Sequence, residues 1–374
     1  MTRTSSAPQN PHEILVTALC PIGDTIFLTP ALALVRRRYP QAHITVAAAP
    51  ANQGILADNP DRDALVIVHD PAKGFHPRRI MEGARALHEL RPDLIINFST
   101  GGAIVTALAG LRSPRLGLKL PPWFALVGAR GDQTYRERHA VDHYFTAIED
   151  LAPPPSDPAD RIPRFYLGDE DREQAKTLLA DAPGNSGAMV VTMHVGGDGF
   201  NGRKRWAPSR FARVANGLIE RFGARVALVG GPADLPTSEE TARLISGPVA
   251  MLAGKTSLKV TGALIEASAL FIGNDSSPLH IAAALGTPSI GIYGPSDWKE
   301  FAPVARPGYR GRMLHSDLPC SPCFRFVGNR PLWQINTCYT YACLKAISAP
   351  RVLETAAELL AEGLSGSDAH AEAR

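Results

Sequence analysis

Residues 270–294, "LFIGNDSSPLHIAAALGTPSIGIYG", decide the fold. Two β-rich apolar runs flank a short alanine-rich run, which is typical of a β-α-β unit with parallel strands. Polar residues gather between the first strand and the helix: Asp275, Ser276, Ser277 and His280. In open α/β sheets, ligands bind at this position, outside the carboxyl end of a strand. The spacing predicts that Asp275 caps the helix and that Gly286 ends it.

The polar residues before this helix favour an anion site. A helix N-terminus exposes unpaired N–H groups, and its dipole attracts negative charge. With the hydroxyls of Ser276 and Ser277 beside it, this N-terminus would suit a diphosphate, and His280 would follow one turn later. The plainer alternative is that Asp275 only caps the helix and that His280 is a half-buried histidine. The spacing is compatible with both.

Strand-like and helix-like segments alternate along the chain, which predicts parallel, doubly wound α/β sheets. The series is interrupted at residues 151–171, "LAPPPSDPADRIPRFYLGDED", because prolines are excluded from helix interiors and central strands. We therefore expect two Rossmann-like domains, over residues 1–165 and 166–350, and a last helix over about 351–366. In the first domain, Thr29 and Pro30 predict a helix start, after the loop "PIGDTIFL".

Composition is typical of a globular protein. The 374 residues are 45% hydrophobic and 20% charged, and the net charge of +3 does not indicate nucleic-acid binding. The start, "MTRTSSAPQNPHE", lacks the apolar core of a secretory signal, and no apolar run approaches ~18 residues, the length that spans a membrane. We expect a cytoplasmic protein without a transmembrane helix; docking on a membrane face is compatible with these features.

Three more loops that follow strands carry residues suited to phosphate and proton-transfer chemistry. "MHVGGDGFNGRKRW" (193–206) ends a strand in glycines and adds cations, Lys204 among them, and Gly231 ends another strand in "LVGGP". In "CPIGDTIFLTP", Gly23 and Asp24 follow the first strand, and a carboxylate there could act as a general base. The alternative for residues 193–206 is a solvated basic loop, and the alternative for Asp24 is an aspartate that only caps the following structure. The fingerprints of dinucleotide dehydrogenases and P-loop NTPases are both absent.

Four of the five cysteines form a cluster with the spacing C-x2-C-x14-C-x4-C: Cys320, Cys323, Cys338 and Cys343. Four thiolates could complete a tetrahedral Zn or Fe site that holds an irregular loop. Disulfides are disfavoured in a chain without a secretion signal. Four reduced, partly buried thiols are the alternative.

Together these residues resemble glycosyltransferase family 9, the ADP-heptose:lipopolysaccharide heptosyltransferases. The resemblance extends from about residue 14 to residue 360 and rests on the order and spacing of several motifs. The main ones are "IGDTIFLTPALALVRRRYPQAHITV", "RHAVDHY", "KRWAPSRFARVANGL", "LAGKTSL" and "IGNDSSPLHIAAALGTPSIGIYGPSD".

The resemblance implies a GT-B fold, in which two Rossmann-like domains face a central cleft. The N-terminal domain would hold the acceptor and the C-terminal domain the nucleotide sugar, and the last helix would pack back on the N-terminal domain. The implied reaction is an inverting, metal-independent transfer of heptose from ADP-heptose to an acceptor hydroxyl. No cofactor would be required for catalysis, and Zn or Fe on the cysteine cluster would be structural.

The resemblance also assigns roles to particular residues. Asp24 matches the family's base aspartate, and Lys204 matches its phosphate-binding lysine. The diphosphate element falls on four residues: Asp275, Ser276, Ser277 and His280. Gly231 would belong to the nucleotide site, with Asp234 and Glu239 as candidates for the ribose contact, and Gly23 and His139 would lie on the acceptor side. Ser277 stands where the family usually has glycine.

The expected acceptor is the inner core of lipopolysaccharide, on lipid A–Kdo or another glycan, reached by peripheral contact with the cytoplasmic face of the inner membrane. Basic residues of the N-terminal half could attract it: Arg36, Arg37, Arg38, Arg112, Arg115 and Lys119. The alternative functions are a protein O-heptosyltransferase of the autotransporter type, suggested by the cysteine cluster, a family member using another NDP-sugar, and a non-catalytic binding protein.

Overall fold

The computed structural model describes residues 8–70, 76–117, 138–197, 202–324, 338 and 340–371, without the side chains of residues 100 and 363–371. The chain divides into two compact units, Met1–Tyr166 and Leu167–Arg374. This boundary lies inside the proline-rich segment that the sequence analysis identified as the linker. Each unit is an α/β domain, and the two are described separately.

The first unit contains a five-stranded parallel sheet in the order β3-β2-β1-β4-β5. Its strands are β1 (Glu13–Ala18), β2 (His43–Ala48), β3 (Ala64–Ile67), β4 (Leu94–Asn97) and β5 (Arg115–Gly117). Its helices are α1 (Ile22–Arg38), α2 (Gln53–Leu56), α3 (Pro77–Glu89), α4 (Thr100–Leu108) and α5 (Ala140–Thr146). The strand order reverses between β1 and β4, which opens a crevice at the carboxyl ends of these strands.

The second unit contains a six-stranded parallel sheet in the order β11-β10-β9-β6-β7-β8. Its strands are β6 (Val190–His194), β7 (Arg225–Leu228), β8 (Val249–Met251), β9 (Leu270–Asn274), β10 (Ser289–Ile292) and β11 (Gly311–Leu314). Its helices are α6 (Asp169–Ala180), α7 (Pro208–Phe222), α8 (Leu235–Arg243), α9 (Leu258–Glu266), α10 (Ser277–Leu285), α11 (Trp298–Phe301), α12 (Ala342–Ala346) and α13 (Ala349–Ala371). Here the order reverses between β6 and β9.

Helix α1 begins at Ile22, eight residues before the predicted first position, Pro30. Thr29 is not its cap, and Pro30 lies in its interior. Proline has no N–H to donate to the carbonyl four residues earlier, that of Ile26. The Thr29 hydroxyl donates to the Ile26 oxygen instead, at 2.7 Å, so the orphaned acceptor is satisfied. The helix therefore continues through a proline that normally ends one, and Asp24 lies in its first turn rather than in a loop.

Helix α10 also differs from its prediction at the N-terminus. Ser276, not Asp275, occupies the N-cap position, because the Asp275 carboxylate is paired with a lysine. The predicted end of α10 is confirmed: Gly286 closes this helix, and Gly223 closes α7 in the same way, both in the left-handed conformation that glycine adopts without a steric penalty.

The last helix, α13, packs on the second unit. Its first half buries apolar side chains in the same core as α7 and the central strands: Val352, Leu353, Ala356, Leu359 and Leu360. These core contacts lie within the second unit; the packing of residues 351–366 on the N-terminal domain, which the sequence analysis expected, stays a prediction. Among the described residues, no helix combines the length and apolar character needed to cross a membrane, α13 included.

Candidate active site

The crevice of the first unit contains Asp24. This residue lies in the first turn of α1, directly after β1, and its side chain is half-buried. Tyr144 of α5 donates a hydrogen bond to Asp24 Oδ1 at 3.1 Å. The contact joins residues 120 positions apart, and it forms because α5 packs on α1.

Tyr144 is a fixed donor to this carboxylate. Burial, followed by the charges of Asp24 and Cys20, raises the pKa of Tyr144 well above its usual value of 10. The hydroxyl therefore keeps its proton at every physiological pH and orients one carboxylate oxygen. A half-buried carboxylate held in this way can accept a proton from a substrate hydroxyl, which is the geometry of a general base.

Two residues predicted for the acceptor side also lie at α1 and α5. Gly23 precedes Asp24 in the same turn. His139 is the N-cap of α5, where Nδ1 accepts from the Val141 N–H at 3.2 Å, and its ring meets Phe27 of α1 edge-on at 5.4 Å. The structure thus brings three predicted residues of the first unit to one crevice.

The crevice of the second unit contains a lysine–aspartate pair. Lys204 Nζ donates to Asp275 Oδ2 at 2.6 Å, and their side chains are 14% and 4% exposed. Lys204 follows the glycine-rich loop after β6, and Asp275 follows β9. The pair therefore spans the two strands between which the sheet order reverses.

Asp275 is a charged carboxylate despite its burial. Burial raises the pKa of a carboxyl group, but the charges of Lys204 and His280 and the hydroxyl of Ser296 outweigh it. The pKa of Asp275 is therefore held below its usual value. His280 Nε2 lies 4.0 Å from Asp275 Oδ1, so the lysine, the aspartate and the histidine form one buried cluster.

Asn274 fixes the loop that carries Lys204, and the sequence analysis missed it. Its side-chain amide donates to the carbonyls of Val195 and Gly196, and its oxygen accepts from the Trp206 N–H at 2.9 Å. One fully buried residue thus holds the loop at both ends. The signal available in the sequence was a single amide at the end of the apolar strand "LFIGN".

A second buried chain of polar groups, also missed, begins at the end of β6. His194 Nδ1 lies 2.9 Å from Ser276 Oγ, and His194 Nε2 lies 3.1 Å from Asp234 Oδ2. The two Asp234 oxygens also accept backbone N–H groups of Gly197 and Gly231. Burial alone would raise the pKa of Asp234, but the hydrogen bonds and charge of His194 and these N–H groups outweigh burial and lower the pKa to about 2.

Comparison with known proteins identifies the family. A model described as glycosyltransferase family 9 (heptosyltransferase) matches residues 122–331, more than half of the chain. The chain belongs to glycosyltransferase family 9. It is a transferase, as the sequence analysis predicted.

Similar proteins are heptosyltransferases by name. The lipopolysaccharide heptosyltransferase 3 of Escherichia coli K12 is 29% identical over 74% of this chain and 80% of its own length. The lipooligosaccharide heptosyltransferase 2 of Campylobacter jejuni is 29% identical over 91% of this chain and 95% of its own length. The structure of E. coli ADP-heptose lps heptosyltransferase II covers 94% of this chain and 99% of its own, with 22% identity and a TM-score of 0.72. The predicted GT-B fold is confirmed.

The other residues predicted for the nucleotide site of this family 9 enzyme differ in how they are placed relative to the cluster of Lys204, Asp275 and His280. Ser276 and Ser277 begin α10 and are half-buried. Gly231 donates its N–H to Asp234. Glu239 is exposed on α8, and no described contact joins its carboxylate to the cluster.

Both oxygens of Asp234 are engaged by His194 and by two glycine N–H groups. A Cβ on Gly196 would lie 2.0 Å from Asp234 Oδ1, so the glycine permits this close approach. The structure therefore gives Asp234 a role in holding the two glycine turns together, whereas the ribose contact of either acidic residue stays a prediction.

The four clustered cysteines of this enzyme are all described, and they are free thiols, as is Cys20. Burial first, and then the proximity of Cys323, Cys338 and Cys320, raises the pKa of Cys343 to about 11. In the described part of the chain, no three Cys, His, Asp or Glu side chains lie close enough together to hold a metal ion. The metal site stays a prediction.

The basic residues of the N-terminal half have different surroundings. Arg36 pairs with Asp63, and Arg37 pairs with Asp160 at 2.7 Å. Arg112 and Arg115 are exposed, and Lys119 lies outside the described residues. Arg38 is exposed, with its guanidinium carbon 5.0 Å from the centroid of the Tyr39 ring. Two of the three arginines at the end of α1 are therefore paired within the unit, and exposed basic charge remains at Arg38 and around β5.

Proposed function

We propose that this enzyme transfers heptose from ADP-heptose to a hydroxyl of the lipopolysaccharide inner core, with inversion at the anomeric carbon and without a catalytic metal. The names of its relatives support heptose transfer in lipopolysaccharide core biosynthesis. The observation that carries the donor assignment is the buried Lys204–Asp275 pair at the crevice of the second unit, beside the N-terminus of α10.

In this proposal the second unit binds the leaving group. A diphosphate would accept hydrogen bonds from the α10 N-terminus and from the hydroxyls of Ser276 and Ser277. Lys204 has three N–H donors, of which Asp275 accepts one. As the glycosidic bond to the diphosphate breaks, negative charge grows on the β-phosphate, and a fixed cation stabilises that charge where it develops. Lys204 then does what a divalent metal does in other transferases.

The first unit supplies the base. Asp24 removes the proton of the acceptor hydroxyl while that oxygen attacks the anomeric carbon. One bond forms between the acceptor oxygen and carbon, the bond to the diphosphate breaks, and the proton ends on Asp24. A single displacement of this kind inverts the configuration. Tyr144 keeps the carboxylate oriented because its own hydroxyl stays protonated.

Metal binding by the cysteines is a separate, structural proposal. It rests on the spacing of Cys320, Cys323, Cys338 and Cys343, whose thiolates would be the donor set of a Zn or Fe site. No catalytic step passes through this group. Metal analysis of the purified protein tests the proposal; a preparation with no bound metal, and no metal uptake after anaerobic reduction, would contradict it.

The first experiment on function is a thermal-shift panel of ADP, UDP, GDP, CDP and ADP-heptose. We expect only the adenine ligands to raise the melting temperature, since binding to the native state stabilises it. Stabilisation by another nucleotide alone would overturn the ADP-heptose assignment.

Turnover with a Kdo–lipid A acceptor and NMR of the product then test the acceptor and the inversion. Addition of a chelator should leave the rate unchanged. Transfer only to a protein, detected by intact mass, would instead identify a protein O-heptosyltransferase. The same acceptor presented in anionic vesicles and in detergent tests for the peripheral contact with the inner membrane.

A further inference from the structure

We infer that Phe324 and Phe301 are positioning residues for Lys204, and that their rings set its affinity for the donor diphosphate. The inference rests on the proposed function, in which Lys204 binds that diphosphate. It assigns a task to a residue on the cysteine-bearing segment, directly after Cys323, that neither the motifs nor the family match identified.

The geometry of the three side chains supports a clamp. Lys204 Nζ lies 4.9 Å from the centroid of the Phe324 ring and 5.6 Å from that of Phe301. Both distances fall within the ~6 Å range of a cation–π contact. The two rings are themselves stacked, with centroids 5.6 Å apart and planes at 12°. The same ammonium donates a hydrogen bond to a carboxylate oxygen of Asp275.

Phe324 is held in place by its backbone. Its N–H donates to the Pro295 carbonyl at 2.8 Å, and its carbonyl accepts from the Asp297 N–H at 3.0 Å. The neighbouring Ser321 hydroxyl donates to the Gly294 carbonyl at 2.8 Å. The cysteine-bearing segment is thus joined to the loop that follows β10.

Phe301 is carried by the same loop. Asp297 caps α11, which ends at Phe301, and the Phe301 carbonyl accepts from the fully buried hydroxyl of Tyr293 at 2.9 Å. Asp297 therefore holds one ring through its backbone N–H and begins the helix that carries the other. Phe301 is part of residues 293–301, and Phe324 is attached to that segment by its backbone hydrogen bonds. The two rings and the segment therefore form a single structural unit, the clamp.

Aromatic rings suit this position because they attract a cation without carrying charge. The Lys204 side chain is 14% exposed and has lost most of its hydration. The negative charge of Asp275 balances the single positive charge of the ammonium. A second carboxylate would leave the pair negative and would repel a diphosphate. The ring faces compensate for lost water through their quadrupole and add no net charge. The ammonium is therefore stabilised in place and keeps its attraction for an anion.

The first test compares Phe324→Leu with the conservative Phe324→Trp and with a matched control, Phe222→Leu. Phe222 is also half-buried in the second unit but packs on the core away from Lys204. We expect Phe324→Leu to weaken ADP binding by roughly 5- to 30-fold, with Phe324→Trp and the control near wild type. Adenosine, which lacks phosphate, should bind all four proteins equally.

A double-mutant cycle isolates the contact. In a Lys204→Met background, Phe324→Leu should change ADP affinity by less than about 2-fold, because the cation that the ring faces is gone. Equal losses of ADP and adenosine affinity, or an undiminished effect of Phe324→Leu without Lys204, would show a general packing role and overturn the inference.

The last measurement does not depend on the donor. NMR of the nucleotide-free protein, with the Lys204 signals assigned through Lys204→Met, reports ring currents directly. We expect the Lys204 ε-methylene protons to be shifted upfield in the wild type and to return toward ordinary values in Phe324→Leu. Unshifted protons in the wild type would refute the clamp. A shifted Lys204 in a protein that binds no adenine nucleotide would keep the clamp and reject the proposed function.

Discussion

The two crevices occupy the same topological position in two similar sheets, yet they are built differently. In the first unit, Asp24 is half-buried on the first turn of a helix and accepts a hydrogen bond from the Tyr144 hydroxyl. In the second unit, buried charges are paired with one another, and Asn274 and Asp234 tie the surrounding loops to the strand ends.

This difference follows the two kinds of chemistry. A base has to give and take a proton, so it needs an accessible carboxylate with few fixed partners. A diphosphate site has to present a fixed positive charge, so it needs a lysine that is held from several sides. In the proposed function, the same fold position therefore supports proton transfer in one unit and charge stabilisation in the other.

Asp24→Asn gives the largest expected effect and tests whether the first crevice acts only in chemistry. We expect kcat to fall roughly 1000-fold, within the range for loss of a general base, while ADP affinity stays the same. Steady-state kinetics and ADP titration measure the two quantities. The exposed Asp150→Asn in the same unit is the control. A variant with wild-type kcat would remove Asp24 from the mechanism.

We expect His143 to make the first unit lose stability in mild acid. Burial lowers the pKa of this histidine from 6.5 to about 4. Between these two pH values the histidine binds a proton in the unfolded state but not in the folded state. The free energy of unfolding therefore falls by about 3 kcal/mol as the pH is lowered from about 6.5 to about 4.

Urea unfolding at several pH values, with hydrogen exchange reporting β1 and β6 separately, measures this loss. In the second unit, Asp234 has a depressed pKa of about 2, so its contribution is lost only between about pH 4 and pH 2. His143→Gln should flatten the pH dependence of the β1 region, while the exposed His12→Gln should not. An unchanged slope in His143→Gln would contradict the assignment.

Lys204→Ala tests the other half of the comparison. The variant should raise the KM for the donor about 30-fold, because a charged hydrogen bond to phosphate is worth about 2 kcal/mol. Unlike Asp24→Asn, it should weaken ADP binding as well. Titration with ADP measures the loss, and the exposed Lys255→Ala serves as the control. If ADP affinity were unaffected, the diphosphate would have to lie elsewhere.

Thr29→Val gives the smallest expected effect and concerns the helix that carries Asp24. The change removes the donor to the Ile26 carbonyl, which Pro30 leaves without a helical partner, and also the acceptor of the Arg164 N–H at 2.8 Å, at a combined cost of about 1–2 kcal/mol. Thr106→Val in α4 is the matched control, because that hydroxyl donates to carbonyls inside an uninterrupted helix and its loss should cost less. Equal losses of unfolding free energy would show that the proline is not the cause.

Local sequence signals predicted most of the fold. They identified the alternating strands and helices, the proline-rich segment, the glycine that ends α10, and the polar group of Asp275, Ser276 and His280. The place of Lys204 beside them came only from the resemblance to the family. The N-terminus of α1 was not, because proline usually starts or ends a helix, and only a hydroxyl one residue earlier compensates for it here.

The contacts that complete the sites could not be predicted from local signals. Tyr144 reaches Asp24 across 120 positions, and His194 reaches Asp234 across 40. Phe324 faces Lys204 only because its backbone is bonded to the loop after β10. Such pairings depend on how helices and loops pack, and no spacing in one sequence encodes them.

The packing of α13 has a consequence for synthesis on the ribosome. The first unit has all its residues by Tyr166, whereas the core of the second includes side chains as far along the chain as Leu360. At 5–20 residues per second, roughly 10–40 s separate these two points. During that interval the nascent second sheet lacks the helix that covers α7, and its apolar surface is what a ribosome-associated chaperone would encounter.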